Sequence, residues 1–202
     1  VADRDVGAAQ SDANIAADSA SGFVQPYADS PLDGEPVGEN VYMGVVKAAS
    51  EYVYFTTPYL IISDEMSREL CLAAKRGVDV RIITPGIPDK KLIYNVTRSF
   101  YHGLVKHGVR IYEWTPGFCH AKMSIVDDCM ATCGTINLDY RSLYHHFENG
   151  CFMADCQAVV EIKNDLIRTM GECRDVTDQY CTGRSAYLRL GQLFMRLFAG
   201  LL

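Results

Sequence analysis

The spacing of apolar positions changes rhythm along the chain, and each change predicts an element. In NVYMGVVKAAS the apolar residues Val41, Val45, Ala48 and Ala49 fall at helical intervals. YVYFTTPYLI is β-branched and aromatic, which predicts a buried strand ending near Pro58. SDEMSRELCLAAKRG opens on Ser63 as an N-cap, carries acids in its first turn and bases in its last, and closes at Gly77, the marks of a helix. VDVRIITPG then reads as a strand, DKKLIYNVTRSFYHGLVKHG as a helix closed by a glycine, and VRIYEW as a strand. HAKMSIVD and CMATCGTIN read as two strands joined by a tight turn at Asp127–Asp128. NGCFMAD is a further strand and QAVVEIKNDLIRTMGEC a helix. Strands alternate with helices and then three strands follow together, so the expected fold class is α/β, a mixed sheet flanked by helices.

The two ends follow no such rhythm. Residues 1–22 are rich in Ala, Asp and Ser without large apolar periodicity, and read as a linker or exposed loop. The segment FVQPYADSPLDGEPVGEN has three prolines and three acids before Val37, and reads as an ordered but irregular approach to the folded body. That body is expected to span 23–183. From 184 to 202 the chain places Arg189, Gln192 and Arg196 on one helical face, with Leu, Phe and Met elsewhere. Two arginines and a glutamine argue against a spanning helix and for an amphipathic helix lying on a membrane surface, with a helix packed on the core as the alternative. A chain opening on VADRDVGAAQ, without an initiator Met, reads as a piece of something longer.

Composition narrows the function. The chain has 202 residues, 49% hydrophobic, and a net charge of −6, with no long basic run. This disfavours a nucleic-acid binder that relies on a broad phosphate-contacting surface, but allows one compact anion pocket. Eight cysteines are present without a CxxC pair, which disfavours a zinc site. Most fall within apolar strand or helix patterns, where a thiol behaves as a small hydrophobe, so reduced cysteines and a reducing compartment are expected.

The candidate chemistry lies in HAKMSIVDD. On an alternating strand residues two apart point to the same face, so His120 and Lys122 look the same way. A lysine on an apolar strand requires either a wet face or a bound anion. After these come Asp127, then Gly134, Thr135 and Asn137, giving H-x-K-x4-D-x6-G-T-x-N. Thr135 and Asn137 also share strand parity, so two adjacent strands could aim His, Lys, Thr and Asn at one point. Ammonium and amide donors suit phosphate oxygens, and a neutral imidazole beside a phosphate can attack phosphorus. A structural histidine is the bland alternative, which the six fixed positions argue against.

This pattern resembles the HKD motif of the phospholipase D superfamily, followed by its G-[ST]-x-N. Beyond it, TPYLI, GVDVRIITPGIPDKKLIY, GVRIYEWTPGFCHAKMSIVDD, GTINLDYRSLYHHFE and RLFAGLL resemble the second half of the bacterial cardiolipin synthases, over roughly residues 23–202. The resemblance implies a phospholipase D-like fold and transfer of a phosphatidyl group between two phosphatidylglycerol molecules, through a phosphatidyl-histidine intermediate and with release of glycerol. It implies no metal and no cofactor. His120 matches the motif histidine, nucleophile or acid–base; Lys122 and Asn137 match the phosphate-binding pair, with Thr135 beside them. Asp127 matches the motif aspartate, although its odd offset from His120 and its place at the turn favour bracing the strand over touching phosphate. Glu148 matches the acid that orients the imidazole, with a solvated strand-start acid as the alternative.

One departure is large. His102, His107, His145 and His146 lack Lys two residues on, so the chain holds one HKD motif where the resemblance calls for two. The implied partners are therefore the N-terminal HKD half or a second copy of this chain, anionic phospholipid such as phosphatidylglycerol, and a membrane surface, at the cytoplasmic side of a bacterial inner membrane. Nucleic acid is not an expected partner. Two other classes stay open: a homodimeric single-motif phosphodiesterase, phospholipase or nuclease, and a non-catalytic half-domain.

Overall fold

The computed structural model describes residues 22–32 and 34–181. The amphipathic helix expected over 184–202 and nearly all of the expected linker lie outside the described residues. In chain order the elements are β1 (Phe23–Asp29), α1 (Val37–Ala48), β2 (Tyr52–Thr56), β3 (Leu60–Ile61), α2 (Asp64–Lys75), β4 (Asp79–Pro85), α3 (Lys91–Val105) and β5 (Arg110–Trp114). They continue with β6 (Met123–Val126), β7 (Met130–Gly134), β8 (Leu138–Asp139), α4 (Tyr140–Tyr144), β9 (Glu148–Ala154), α5 (Gln157–Gly171), β10 (Cys173–Asp175) and α6 (Thr177–Cys181).

Eight strands form one mixed sheet in the order β1-β9-β7-β6-β2-β4-β5-β10, and β3 pairs with β8 in a small second sheet. The helix crossovers make β2, β4 and β5 parallel neighbours, while β6, β7 and β9 run antiparallel as a meander. The central strands are buried on both faces, which is why they read as continuous apolar runs. Val53, Phe55, Ile82, Ile111 and Val126 pack on one face against α1, α2 and α3. Tyr54, Ile83, Tyr112 and Ile125 point the other way, against Val159, Leu166 and Met170 of α5. Full burial of one such aliphatic side chain stabilises by about 1.5–3 kcal/mol, so this two-faced pattern fixes the register.

Local signals explain the element ends. Ser63 caps α2 by accepting from Met66 N at 3.0 Å. The β6–β7 hairpin turns through Asp127 and Asp128, at φ 46° and 61°, a left-handed pair that Asp tolerates better than most residues. At the far edge the buried Glu113 carboxylate is held by Arg98 at 2.8 and 2.9 Å and by Arg174 at 2.6 Å, fastening α3 and β10 to β5.

Several expectations need correction. The segment read as irregular begins with β1, an edge strand paired with β9 from Phe23↔Ala154 to Asp29↔Glu148. Pro26 is tolerated there because only an edge strand can lack an N–H, and exposed Phe23 and Val24 erased the apolar rhythm. The strand expected to end near Pro58 does so, at Thr56, but Leu60–Ile61 of the same apolar run leaves the main sheet for β8. Expected as small buried hydrophobes, the eight cysteines are none of them fully buried, and Cys133 and Cys181 are exposed.

Candidate active site

Strand β6 begins at Met123 and β7 ends at Gly134, so His120, Lys122, Thr135 and Asn137 all lie just beyond the paired strands. The shared strand parity expected for them is therefore not what brings them together. Two loops leave the same end of one hairpin, and the last link between them runs from Gly134 N to Lys122 O at 3.3 Å. Gly134 is required at this point: a Cβ there would meet Asn149 O at 2.4 Å and Gly150 Cα at 2.7 Å.

The loop after Gly134 is fixed from several sides. Tyr42 Oη donates to Ile136 O at 2.7 Å, and Leu138 N donates to Thr57 Oγ1 at 3.0 Å. Asn137 Nδ2 donates to Asp139 Oδ2 at 2.9 Å, while Asp139 Oδ1 caps α4 by accepting from Ser142 N at 2.8 Å. The second amide atom, Asn137 Oδ1, is buried and has no partner among the described residues. An orphaned acceptor inside a candidate site marks a place where a bound donor, such as an alcohol hydroxyl, completes the hydrogen bonding.

Lys122 is 8% exposed and folds back over its own loop. Its Nζ donates to His120 O at 2.7 Å and lies 2.9 Å from Nδ1 and 3.2 Å from Nε2 of the His120 ring. Burial lowers the His120 pKa and the Lys122 charge lowers it further, against a smaller opposing effect of Asp89. Neutral imidazole is thus the form present at neutral pH. Lys122 is also lowered, by burial, with Glu148 and Asp139 opposing.

The remaining expected site residues take different places. Asp127 lies at the other end of β6, about 16 Å of extended chain from Lys122. Its carboxylate accepts from the backbone N–H groups of Ser50, Glu51 and Tyr52, at 2.6, 3.0 and 2.8 Å. It ties the hairpin turn to the α1–β2 loop. Glu148 does line the cleft beside His120, but its carboxylate is taken by Thr135 Oγ1 and by Ser142 Oγ, the latter at 3.1 Å. Within this chain the hydrogen bonds of Glu148 thus go to hydroxyls rather than to the His120 ring, because β9 starts where the Thr135 loop crosses it. Thr135 spends its hydroxyl on Glu148 and on Asn149 N, which donates to it at 3.0 Å.

An open cleft of about 660 Å³ runs from His120 and Asn137 past Tyr59, Lys90, Arg141 and His146. It lies beyond the C-terminal ends of β2 and β4, where ligand sites of α/β sheets form. Sequence reasoning missed Asp139 and Ser142, which orient Asn137 and Glu148. The signal was available in LDYRS, where an Asp precedes a short helical turn as an N-cap does.

Comparison with known proteins agrees with this geometry. Residues 42–170 match the family described as cardiolipin synthase, PLD-like domain. The chain is 31% identical over 181 residues to a cardiolipin synthase of Halalkalibacterium halodurans, covering 90% of this chain and 36% of that protein. It is 50% identical over 183 residues to an uncharacterized protein of Streptococcus mutans, covering 91% of this chain and 40% of that one. The chain therefore spans well under half the length of these relatives. Among solved structures, Nuc, a phospholipase D family member from Salmonella typhimurium, superposes with a TM-score of 0.65 at 16% identity, over 77% of this chain and 98% of that one. Phosphatidylserine synthase of Haemophilus influenzae gives 0.66 at 18% identity, over 89% and 47%. At such identities the likeness establishes the fold, and the family match establishes descent: the chain belongs to the phospholipase D-like domain family of the cardiolipin synthases.

Proposed function

We propose that this chain is the C-terminal half of a cardiolipin-forming phosphatidyltransferase, working on phosphatidylglycerol at a membrane surface. The observation that carries this is a neutral imidazole, His120, set beside the buried ammonium of Lys122 on the wall of the cleft that also holds Asn137. Lys122 Nζ and the remaining N–H of Asn137 Nδ2 donate to the anionic phosphodiester oxygens. One nitrogen of His120 attacks phosphorus, forming a P–N bond as the P–O bond to the departing glycerol breaks. The hydroxyl of a second phosphatidylglycerol then gives up its proton to the group that had protonated the departing glycerol, attacks phosphorus and breaks the P–N bond, yielding cardiolipin. Asp139 orients Asn137, and Glu148 supports the site through Thr135 and Ser142 rather than through phosphate. Asp127 holds the far end of the hairpin.

The departing alkoxide needs a proton from the side of phosphorus opposite His120, and one imidazole cannot serve both positions in one step. Lys122 is held for the phosphate charge. The second group therefore comes from another HKD half or a second copy of this chain, with exposed Leu92, Phe118 and Phe147 available to that contact. The chain covers nearly all of Nuc in the structural superposition, which supports keeping a homodimeric single-motif enzyme as a second reading. No helix of the described residues is long and apolar enough to cross a membrane. Attachment at the cytoplasmic side of the inner membrane would then rest on other segments.

The test is cardiolipin formation from phosphatidylglycerol by the complete two-half enzyme, as wild type and as His120→Ala. The variant is expected to fold normally and to lose product formation by at least a thousandfold, as removing a covalent nucleophile does. Near-normal turnover would remove His120 from the reaction.

A further inference from the structure

The cleft holds a second set of polar groups, away from Lys122 and Asn137. Arg141, in the first turn of α4, donates from Nε to Nε2 of His146 at 2.8 Å. Because that nitrogen accepts, a neutral His146 ring carries its proton on Nδ1, which faces Glu148 Oε1 at 3.8 Å. The guanidinium is thus oriented by an imidazole and not by a carboxylate. Its two terminal nitrogens keep the forked geometry that matches phosphate. Lys90, from the loop after β4, lines the same cleft. Among the described residues, the ion pairs involve neither Arg141 nor Lys90. The two acids lining this cleft are held by other groups: Asp139 accepts from Asn137 Nδ2 and Ser142 N, and Glu148 accepts from two hydroxyls, so neither pairs with Arg141 or Lys90.

From this arrangement we infer that the cleft takes two anionic groups at once. The phosphodiester to be cleaved sits at Lys122 and Asn137, and a second phosphate group sits at Arg141 and Lys90, with His146 as the positioning residue for Arg141. This rests on the reading of the cleft given above and sharpens it. An acceptor alcohol that itself carries a phosphate is selected over an uncharged alcohol, because only the former fills the second place. Uncharged alcohols, water included, gain no ion pair with Arg141 and Lys90 and compete poorly for the phosphatidyl group.

The test uses the two imidazoles as separate reporters. The ring C–H resonances of His120 and His146 are followed by NMR while glycerol phosphate is added, with glycerol as the uncharged control. In the wild-type chain both rings are expected to respond to glycerol phosphate and neither to glycerol. In Arg141→Gln the concentration giving half the His146 response should rise about ten- to a hundredfold, the value of a charge-assisted contact, while the His120 response stays within about twofold. A His146 response unchanged by Arg141→Gln, or absent in the wild-type chain, overturns the second subsite. A His146 response without one at His120 supports the second subsite and counts instead against the phosphodiester site at Lys122.

Discussion

Asp139 and His120 sit in one cleft and titrate in opposite directions. Burial pushes the Asp139 carboxyl above its ordinary value, although Ser142 N and Asn137 donate to it. A folded pKa above the unfolded one means that the folded chain binds this proton more tightly. The stability it brings is fully present below about pH 3.9 and is lost as pH rises through the raised folded value. For His120 the folded pKa lies below the unfolded one, so its contribution is present above about pH 6.5 and is lost as pH falls through the lowered value. Asp139→Asn preserves a good N-cap, gives up the acceptor of Asn137 Nδ2 at a cost that does not vary with pH, and removes the first effect. Urea unfolding between pH 4 and 7 should therefore show the variant gaining on the wild type as pH rises. A difference between the two that does not vary with pH would mean that Asp139 has an ordinary carboxyl pKa.

At the scale of elements, what was legible in the sequence followed from burial. The central strands and α2, α3 and α5 bury one or both faces, so their apolar spacing is strict and the fold class was readable. Elements with little burial were not. Edge strand β1 exposes Phe23 and Val24, and β3, β8, β10, α4 and α6 are too short to show a period. The residues of the HKD pattern were all identifiable, but their mutual geometry was not, since a two-residue spacing cannot say whether a strand has begun. Hairpin β6–β7 shows the consequence: Lys122 stands before one end and Asp127 at the other. Asp127→Ala removes an acceptor of three backbone N–H groups and puts a less tolerant residue at φ 46°. It is expected to cost about 2–3 kcal/mol of stability, with Asp127→Asn between it and the wild type. Activity per folded molecule should persist in both. Loss of activity in the fully folded Asn variant would return Asp127 to the reaction.

At the scale of the whole molecule the site is built from one side. His120, Lys122 and Asn137 line an open wall of the cleft, next to exposed Leu92, Phe118 and Phe147. The chain spans 36% of the H. halodurans synthase, so the relative has ample length for a second half. On this account the chain supplies a nucleophile and a phosphate cradle, and lacks the acid for an alkoxide leaving group. That division separates two events which a complete enzyme performs together.

The most direct measurement uses a short-chain phosphatidyl ester of p-nitrophenol, whose leaving group departs without a proton at neutral pH. The chain alone is expected to release close to one nitrophenolate per molecule in a burst and then to stall. Mass spectrometry, after quenching without acid, should place the phosphatidyl group on His120 within the peptide IYEWTPGFCHAK, residues 111–122. His120→Ala should show neither burst nor adduct. A burst that survives in that variant, or a wild-type chain that gives none, would contradict the account of His120 as the nucleophile.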